Sequence, residues 1–102
     1  MPINPPDRGL LILTSLADGD KHGYGLMLDI EQFAGVRLGP GSLYGALARL
    51  EEEQLVVALP AEDRRRPYRI TAAGSQVLKD ELSAQAAIAR IGLSRLAASS
   101  NR

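Results

Sequence analysis

The sequence predicts a mainly α-helical domain that carries a two-stranded β-hairpin and ends in a long C-terminal helix. Three observations favour this fold class. An amphipathic segment opens at Gly39-Pro40, the periodicity changes from 3.6 to 2 residues after Gln54, and a continuous helical pattern begins at Ala72. The 102 residues suffice for one domain with a modest core.

Composition excludes several kinds of protein. No cysteine is present, so a disulfide framework and a thiolate metal site are excluded, and we expect neither a cofactor nor a metal. No signal peptide and no apolar run of ~20 residues is recognisable, which predicts a cytoplasmic protein without a membrane partner. The net charge is zero, which does not favour a nucleic-acid binder, but the signs are segregated. Arginines cluster at 64–69 and glutamates at 51–53.

The first third of the chain predicts a loose arm and two helices. The arm is residues 1–6, which contain three prolines. The first helix is expected from Asp7, its N-cap, to Leu16, and the second from about Lys21 to Ala34. Gly23 and Gly25 weaken the start of the second helix, which would be tolerated if another backbone came close there. The apolar set predicted for the second helix is Tyr24, Met27, Leu28, Ile30 and Phe33.

The segment after Gly39 predicts a helix suited to a DNA major groove. Pro40 fits the first helical position, where its missing N–H costs nothing. Leucines and an alanine then recur at i, i+3, i+4 and i+7 and form one apolar stripe: Leu43, Ala46, Leu47 and Leu50. The opposite face is short or polar and can approach DNA closely: Gly41, Ser42, Tyr44, Gly45, Ala48 and Arg49. An ordinary solvated helix would show the same periodicity.

A basic hairpin follows this third helix. Leu55–Leu59 and Pro67–Thr71 predict two strands, and residues 60–66 form a polar loop between them. Three helices followed by such a hairpin predict a winged helix-turn-helix. We expect the tip residues Arg64, Arg65 and Arg66 to contact backbone phosphates or a minor groove. A solvated hairpin tip is the alternative interpretation.

The remaining residues predict one long helix from Ala72 to about Ala98, capped by Thr71. Its two adjacent apolar seams are wider than a small domain covers, which predicts a homodimer through this helix. Packing on its own core alone is the alternative. The candidate dimerisation residues are Leu78, Leu82, Ile88, Ile91 and Leu93. The expected division is a DNA-binding domain at 1–71 and, at 72–102, a dimerisation helix with a frayed tail over 99–102.

Several blocks of the sequence carry a family resemblance. They are Asp18-Gly19 with His22–Gly25, then Leu38–Tyr44, Leu47–Glu53, Arg64–Thr71 and Ala72–Gly74. In this order and spacing, over about residues 8–80, the chain resembles the PadR family of bacterial winged-helix transcriptional regulators. It is similar to the short subfamily with a single C-terminal dimerisation helix.

The resemblance implies a homodimeric, usually repressing regulator that binds a pseudo-palindromic operator in double-stranded DNA. It also implies that Lys21 and His22 face phosphate, although a packing or capping role is the alternative for His22. The expected DNA-binding residues are Lys21, His22, Gly41, Ser42, Tyr44, Arg49, Arg64, Arg65 and Arg66. A small-molecule effector of unknown identity is a further partner that the family allows. No aromatic residue follows Tyr68, so a site between aromatic side chains of the dimer helices is not supported.

Three positions depart from the family pattern. Gly45 and Ala48 stand where members often carry larger polar side chains, which predicts sparse base readout. Specificity would then depend on Tyr44, Arg49 and DNA shape. Gln54 stands where glycine commonly ends the recognition helix, which predicts another cap or a left-handed residue.

Two other classes of function were weighed. An enzyme is disfavoured, because the chain has no cysteine and one histidine, and the consecutive residues Glu51–Glu53 cannot all face one cleft. A winged-helix module that binds proteins rather than DNA is the alternative that the zero net charge supports.

Overall fold

A computed structural model describes residues 7–100 and shows helices α1 to α4 with strands β1 to β3. Their bounds are α1 Arg8–Leu16, β1 Lys21–His22, α2 Gly23–Ala34, α3 Pro40–Glu52, β2 Val56–Ala58, β3 Pro67–Ile70 and α4 Ala72–Ser100. The predicted N-terminal arm, residues 1–6, and the last two residues of the predicted frayed tail lie outside the described residues. Ser99 and Ser100 belong to α4, so the frayed-tail prediction is wrong for these two.

Helix α1 begins where its cap predicts. The Asp7 carboxylate accepts a hydrogen bond from the Gly9 N–H at 3.2 Å and so satisfies one free donor of the first turn. Ile12 and Leu16 are fully buried on the inner side of α1. The buried Ser15 hydroxyl donates to the Asp29 carboxylate at 2.6 Å, which links α1 to α2.

Helix α2 begins two residues later than predicted, because Lys21 and His22 form a strand. This strand, β1, pairs with β3 in antiparallel orientation, so that Lys21 lies opposite Tyr68 and His22 opposite Pro67. The described sheet therefore has three strands in the order β1-β3-β2, and the two-stranded wing is part of it. Two residues are too short to show a periodicity, so the sequence pattern gave no sign of β1.

The buried face of α2 also differs from the prediction. Leu26 and Ile30 are fully buried, whereas Tyr24, Leu28 and Phe33 are 63%, 52% and 46% exposed. Two apolar pairs at i, i+4 compete in this helix, 24/28 and 26/30, and periodicity alone cannot choose between them. The predicted set contained both residues of the outward pair and also Ile30, which is buried, but it missed Leu26.

The start of α4 is fixed to the end of α3 by backbone contacts. The Thr71 hydroxyl donates to the Gln54 carbonyl at 2.8 Å, and the Thr71 N–H donates to the Leu55 carbonyl at 3.0 Å. Thr71 is also the predicted N-cap, since its hydroxyl accepts from the Gly74 N–H at 3.0 Å. A Cβ at Gly74 would overlap the Leu55 carbonyl oxygen, so only glycine fits there.

Most of α4 extends away from the core. Leu78, predicted to lie in a dimer seam, is instead 7% exposed and packs in the core of its own chain. From Lys79 to Ser100 every residue is exposed except the half-buried Ala87. At 1.5 Å per residue the helix is about 44 Å long and accounts for much of the molecule's 60 Å long axis. Between residues 7 and 100, no helix has the length and apolarity required to cross a bilayer.

Candidate nucleic-acid interface

Helix α3 presents its predicted outer face to solvent. Gly39 is its N-cap and Pro40 its first residue, as predicted, and the leucines of the apolar stripe are buried in the core. On the outer face five residues are exposed and Ser42 is half-buried: Gly41, Tyr44, Gly45, Ala48 and Arg49. Most of these side chains are small, so the α3 backbone can approach a partner surface closely.

Gln54, which follows α3, adopts the left-handed conformation. This is one of the two outcomes predicted for the residue. Its φ is 64°. The Gln54 N–H donates to the Glu51 carbonyl at 3.0 Å and the Leu55 N–H to the Leu50 carbonyl at 2.9 Å, the two bonds of a Schellman motif. A residue with a Cβ is disfavoured in this conformation by about 1–2 kcal/mol.

We call the β2–β3 hairpin, residues 56–70, the wing. Its tip is a tight turn that contains an arginine in an unfavourable backbone conformation. Asp63 and Arg64 have φ values of 47° and 70°, the positive values that both central residues of a type I′ turn require. Reciprocal backbone hydrogen bonds of 2.6 and 2.8 Å join Glu62 to Arg65 and close the turn. Asparagine and glycine are the residues usually found at such positions, so the arginine side chain is placed at the tip against its backbone preference.

The wing arginines differ sharply from their neighbour Arg69. Arg69 makes two hydrogen bonds to the Asp20 carboxylate, at 3.0 and 2.8 Å. Arg64, Arg65 and Arg66 are exposed, and none of the salt bridges found among residues 7–100 involves them. Three guanidinium groups at the wing therefore have no carboxylate partner within the described chain.

Lys21, expected at a phosphate, is half-buried and paired with groups of its own chain. Its ammonium donates to the Ser15 carbonyl and to the Asp18 carboxylate, the latter at 2.5 Å. The side chain is only 21% exposed. The ammonium has to leave both partners before it can contact a phosphate, so the geometry does not support that prediction for Lys21.

A cleft of about 270 Å³ brings Tyr44 of α3 together with the wing. It is lined by His22, Gly23, Tyr24, Tyr44, Arg64, Arg65 and Arg66. Arg65 Nη1 lies 3.4 Å from His22 Nε2, and His22 Nδ1 is buried without a hydrogen-bond partner in the described residues. Helix, strand and wing thus converge on one basic cleft that we call the wing cleft.

The atoms closest to Gly23 belong to the Tyr44 side chain and not to another backbone, so the prediction of a close backbone was wrong. A Cβ at Gly23 would overlap the Tyr44 hydroxyl and come 2.7 Å from Cζ of the same ring. No local pattern signals this contact, because the two residues belong to different helices.

The remaining predicted residues of α3 line a second groove, on the side of the helix away from the wing cleft. Gly41, Ser42 and Arg49 line a groove of about 770 Å³ between α3 and the start of α1. Arg8, which sequence reasoning missed, and Arg37 also line it. Arg37 is already paired with a carboxylate, that of Glu31, at 3.0 Å. The structure therefore separates the predicted DNA-binding residues other than Lys21 into two groups, one in the wing cleft and one in this second groove.

Ion pairs near the wing shift the titration of their carboxyl groups. A hydrogen bond from Arg69 lowers the pKa of Asp20, and one from Lys21 lowers the pKa of Asp18. Burial raises the pKa of the Tyr68 phenol, and the negative charge of Glu51 adds to the effect. Within residues 7–100 no three His, Cys, Asp or Glu side chains converge as metal ligands.

Three helices, an exposed third helix and a basic hairpin beside it define a winged helix-turn-helix protein. Residues 12–80 match the model of the transcriptional regulator PadR-like family, and the chain belongs to that family. Members of this family are transcriptional regulators rather than enzymes, and the family resemblance in the sequence is confirmed.

Individual relatives agree with this assignment. The chain is 52% identical over 80 residues to an uncharacterized 37.1 kDa protein in transposon TN4556 of Streptomyces fradiae, covering 78% of this chain and 23% of that protein. It is 38% identical over 87 residues to transcriptional regulator Rv3488 of Mycobacterium tuberculosis, covering 79% and 78% of the two chains. A solved transcriptional regulator from Clostridium thermocellum superposes with a TM-score of 0.73 at 28% identity, covering 81% and 86%.

Proposed function

We propose that the protein is a homodimeric repressor that binds a pseudo-palindromic DNA operator. In this proposal residues up to 71 form the DNA-binding domain and α4 forms the dimer, and the protein acts in the cytoplasm. The observation that carries the proposal is the wing cleft, where three arginines without carboxylate partners stand beside the exposed face of α3.

The charges of the wing suit a phosphate backbone. Arginine binds phosphate through paired N–H donors, and guanidinium groups without a carboxylate partner in the described chain are available for this contact. Arg64 supports the same interpretation, since a left-handed conformation disfavours any residue with a Cβ at that position. The outer face of α3 is small enough to enter a major groove, with its side chains close to the base edges.

The exposed apolar side chains of α4 support a dimer. Ile88 and Leu93 are 71% and 67% exposed, and Leu82 and Ile91 are about 40% exposed in the single chain. Such a surface on a projecting helix favours association with a second copy, which removes it from water. Leu78 has no part in this proposal because it is already buried.

Two measurements test the proposal together. Genomic DNA captured by the purified protein gives candidate operators, and footprinting on them measures the spacing of protected half-sites. We expect two half-sites about one helical turn (~34 Å) apart, bound by a species with twice the chain mass in light scattering. A single asymmetric half-site, or a monomer on the DNA, contradicts the proposal.

A protein-interaction module is the second candidate, and the zero net charge of the chain favours it. The two candidates differ at low ionic strength. A DNA-binding wing gives salt-dependent binding even to arbitrary duplex DNA, whereas an interaction module binds no duplex at 50 mM salt.

A further inference from the structure

The position of Tyr44 around α3 separates it from the residues that face a groove floor. At about 100° per residue, Gly41, Gly45 and Ala48 lie opposite the buried leucines, on the crest of the helix. Tyr44 is about 100° from the buried Leu43 and so lies on the flank of α3. A helix inserted in a major groove turns its crest to the bases and its flanks to the two phosphate backbones.

The tyrosine ring is also directed away from the crest by its contact with Gly23. The hydroxyl and Cζ occupy the space that a side chain at position 23 would need, so the ring lies over the start of α2. At the same time Tyr44 is 47% exposed and lines the wing cleft with the three arginines. The phenol therefore shares its open side with three arginines that have no carboxylate partner in the described chain.

We propose that Tyr44 binds a backbone phosphate in the wing cleft rather than a base, and that Gly23 is the positioning residue that holds it there. The phenol O–H donates to a phosphate oxygen whose charge the wing arginines neutralise. This inference rests on the proposed DNA binding and changes the predicted role of Tyr44 from specificity to affinity. Sequence discrimination is then left to the crest of α3, to Arg49 and to DNA shape.

The test compares two duplexes of equal length, one carrying the captured operator and one a scrambled sequence, by fluorescence anisotropy. Tyr44→Phe removes only the hydroxyl. Because a hydrogen bond to a charged group is lost, we expect both Kd values to rise about tenfold or more while their ratio stays constant. A rise confined to the operator means that Tyr44 contacts a base, and no rise means that the hydroxyl contacts nothing. Either result overturns the inference.

Gly23→Ala tests the positioning role, with Gly25→Ala as a matched control in the same helix turn. A Cβ at Gly25 meets the His22 ring at 3.8 Å, an ordinary contact, so this variant should bind like the wild type. Gly23→Ala displaces the ring and should weaken both duplexes at least as much as Tyr44→Phe. Equal effects of the two alanines contradict the positioning role, and thermal unfolding identifies a variant that has lost its fold, in which case Tyr44→Phe decides.

Binding by the wild-type protein distinguishes a failure of the proposed DNA binding from a failure of the proposed role of Tyr44. If it binds neither duplex, the proposed function fails and this inference with it. If it binds both and prefers the operator, the proposed function stands, and the Tyr44→Phe ratio alone decides the role of the tyrosine.

Discussion

Replacing the three wing arginines by alanine should flatten the salt dependence of DNA binding by a calculable amount. Each phosphate neutralised by a protein cation contributes about 0.9 to the slope of log K against log salt. Arg64, Arg65 and Arg66 have no carboxylate partner in the described chain, so each is free to neutralise one phosphate. The loss is about 2.7 for one wing and about 5.4 for a dimer with both wings on the duplex.

This difference is large in an ordinary titration. Between 50 and 200 mM salt, a slope difference of about 5.4 makes the wild type lose roughly 10³ more affinity than the triple variant. Fluorescence anisotropy of a labelled operator at four or five salt concentrations measures both slopes. Circular dichroism of the variant shows whether its helices are intact, and we expect no change because the wing tip lies outside the core.

The neighbouring Arg69 provides the control. Its guanidinium is engaged twice by Asp20, so Arg69→Ala removes the same type of charge without removing a free one. We expect its slope to stay within one unit of the wild type. The reasoning is refuted if the triple variant keeps the wild-type slope, or if Arg69→Ala flattens it as much per arginine as the wing substitutions do.

Three further outcomes are expected. Gln54→Gly should stabilise the protein by about 0.5–1 kcal/mol in urea unfolding, since the relief of a left-handed residue exceeds the added entropy of the unfolded chain; a destabilised variant contradicts the Schellman geometry. Ile88→Asp should give a folded monomer in light scattering because an unpaired charge cannot be buried in a dimer, whereas Ser83→Asp, at an exposed position about 140° around the helix from Ile88, should remain dimeric. Asp20 has its pKa lowered by Arg69, so its contribution to stability is present above the ordinary value of 3.8 and is lost as the pH falls through the lower folded value. Asp20→Asn should therefore reduce the urea midpoint at pH 7 and leave it unchanged well below pH 3.8, and an equal effect at both pH values would show that the pair contributes nothing.

The parts of the fold that the sequence predicted are those encoded by neighbouring residues. Helix α3 begins at Pro40 as expected, because glycine, proline and the leucine stripe all indicate the same boundary. The caps at Asp7 and Thr71 are confirmed for the same reason, since a cap is a contact over two or three residues. The left-handed Gln54 was one of two predicted outcomes, and that prediction came from the family resemblance, since glycine commonly stands at this position.

The parts that the sequence did not predict depend on partners distant in the chain. Strand β1 exists because β3, more than forty residues later, offers it hydrogen bonds. The sequence places Arg69 in the basic cluster. In the structure its guanidinium donates hydrogen bonds to the carboxylate of Asp20, which lies 49 positions earlier in the chain. The contact of Gly23 with Tyr44 likewise joins two helices whose relative placement no local pattern specifies.

The attachment of α4 to the end of α3 has a mechanical consequence for the proposed dimer. Because Thr71 and Gly74 contact the backbone of Gln54 and Leu55, α4 and α3 move as one rigid body. If the two α4 helices of the proposed dimer were shifted along each other by one turn, about 5.4 Å, the distance between the two α3 helices would change by more than the ~3.4 Å rise of a base pair. A change in the register of the α4 helices alone would therefore change the spacing of the operator half-sites, with both DNA-binding domains unchanged.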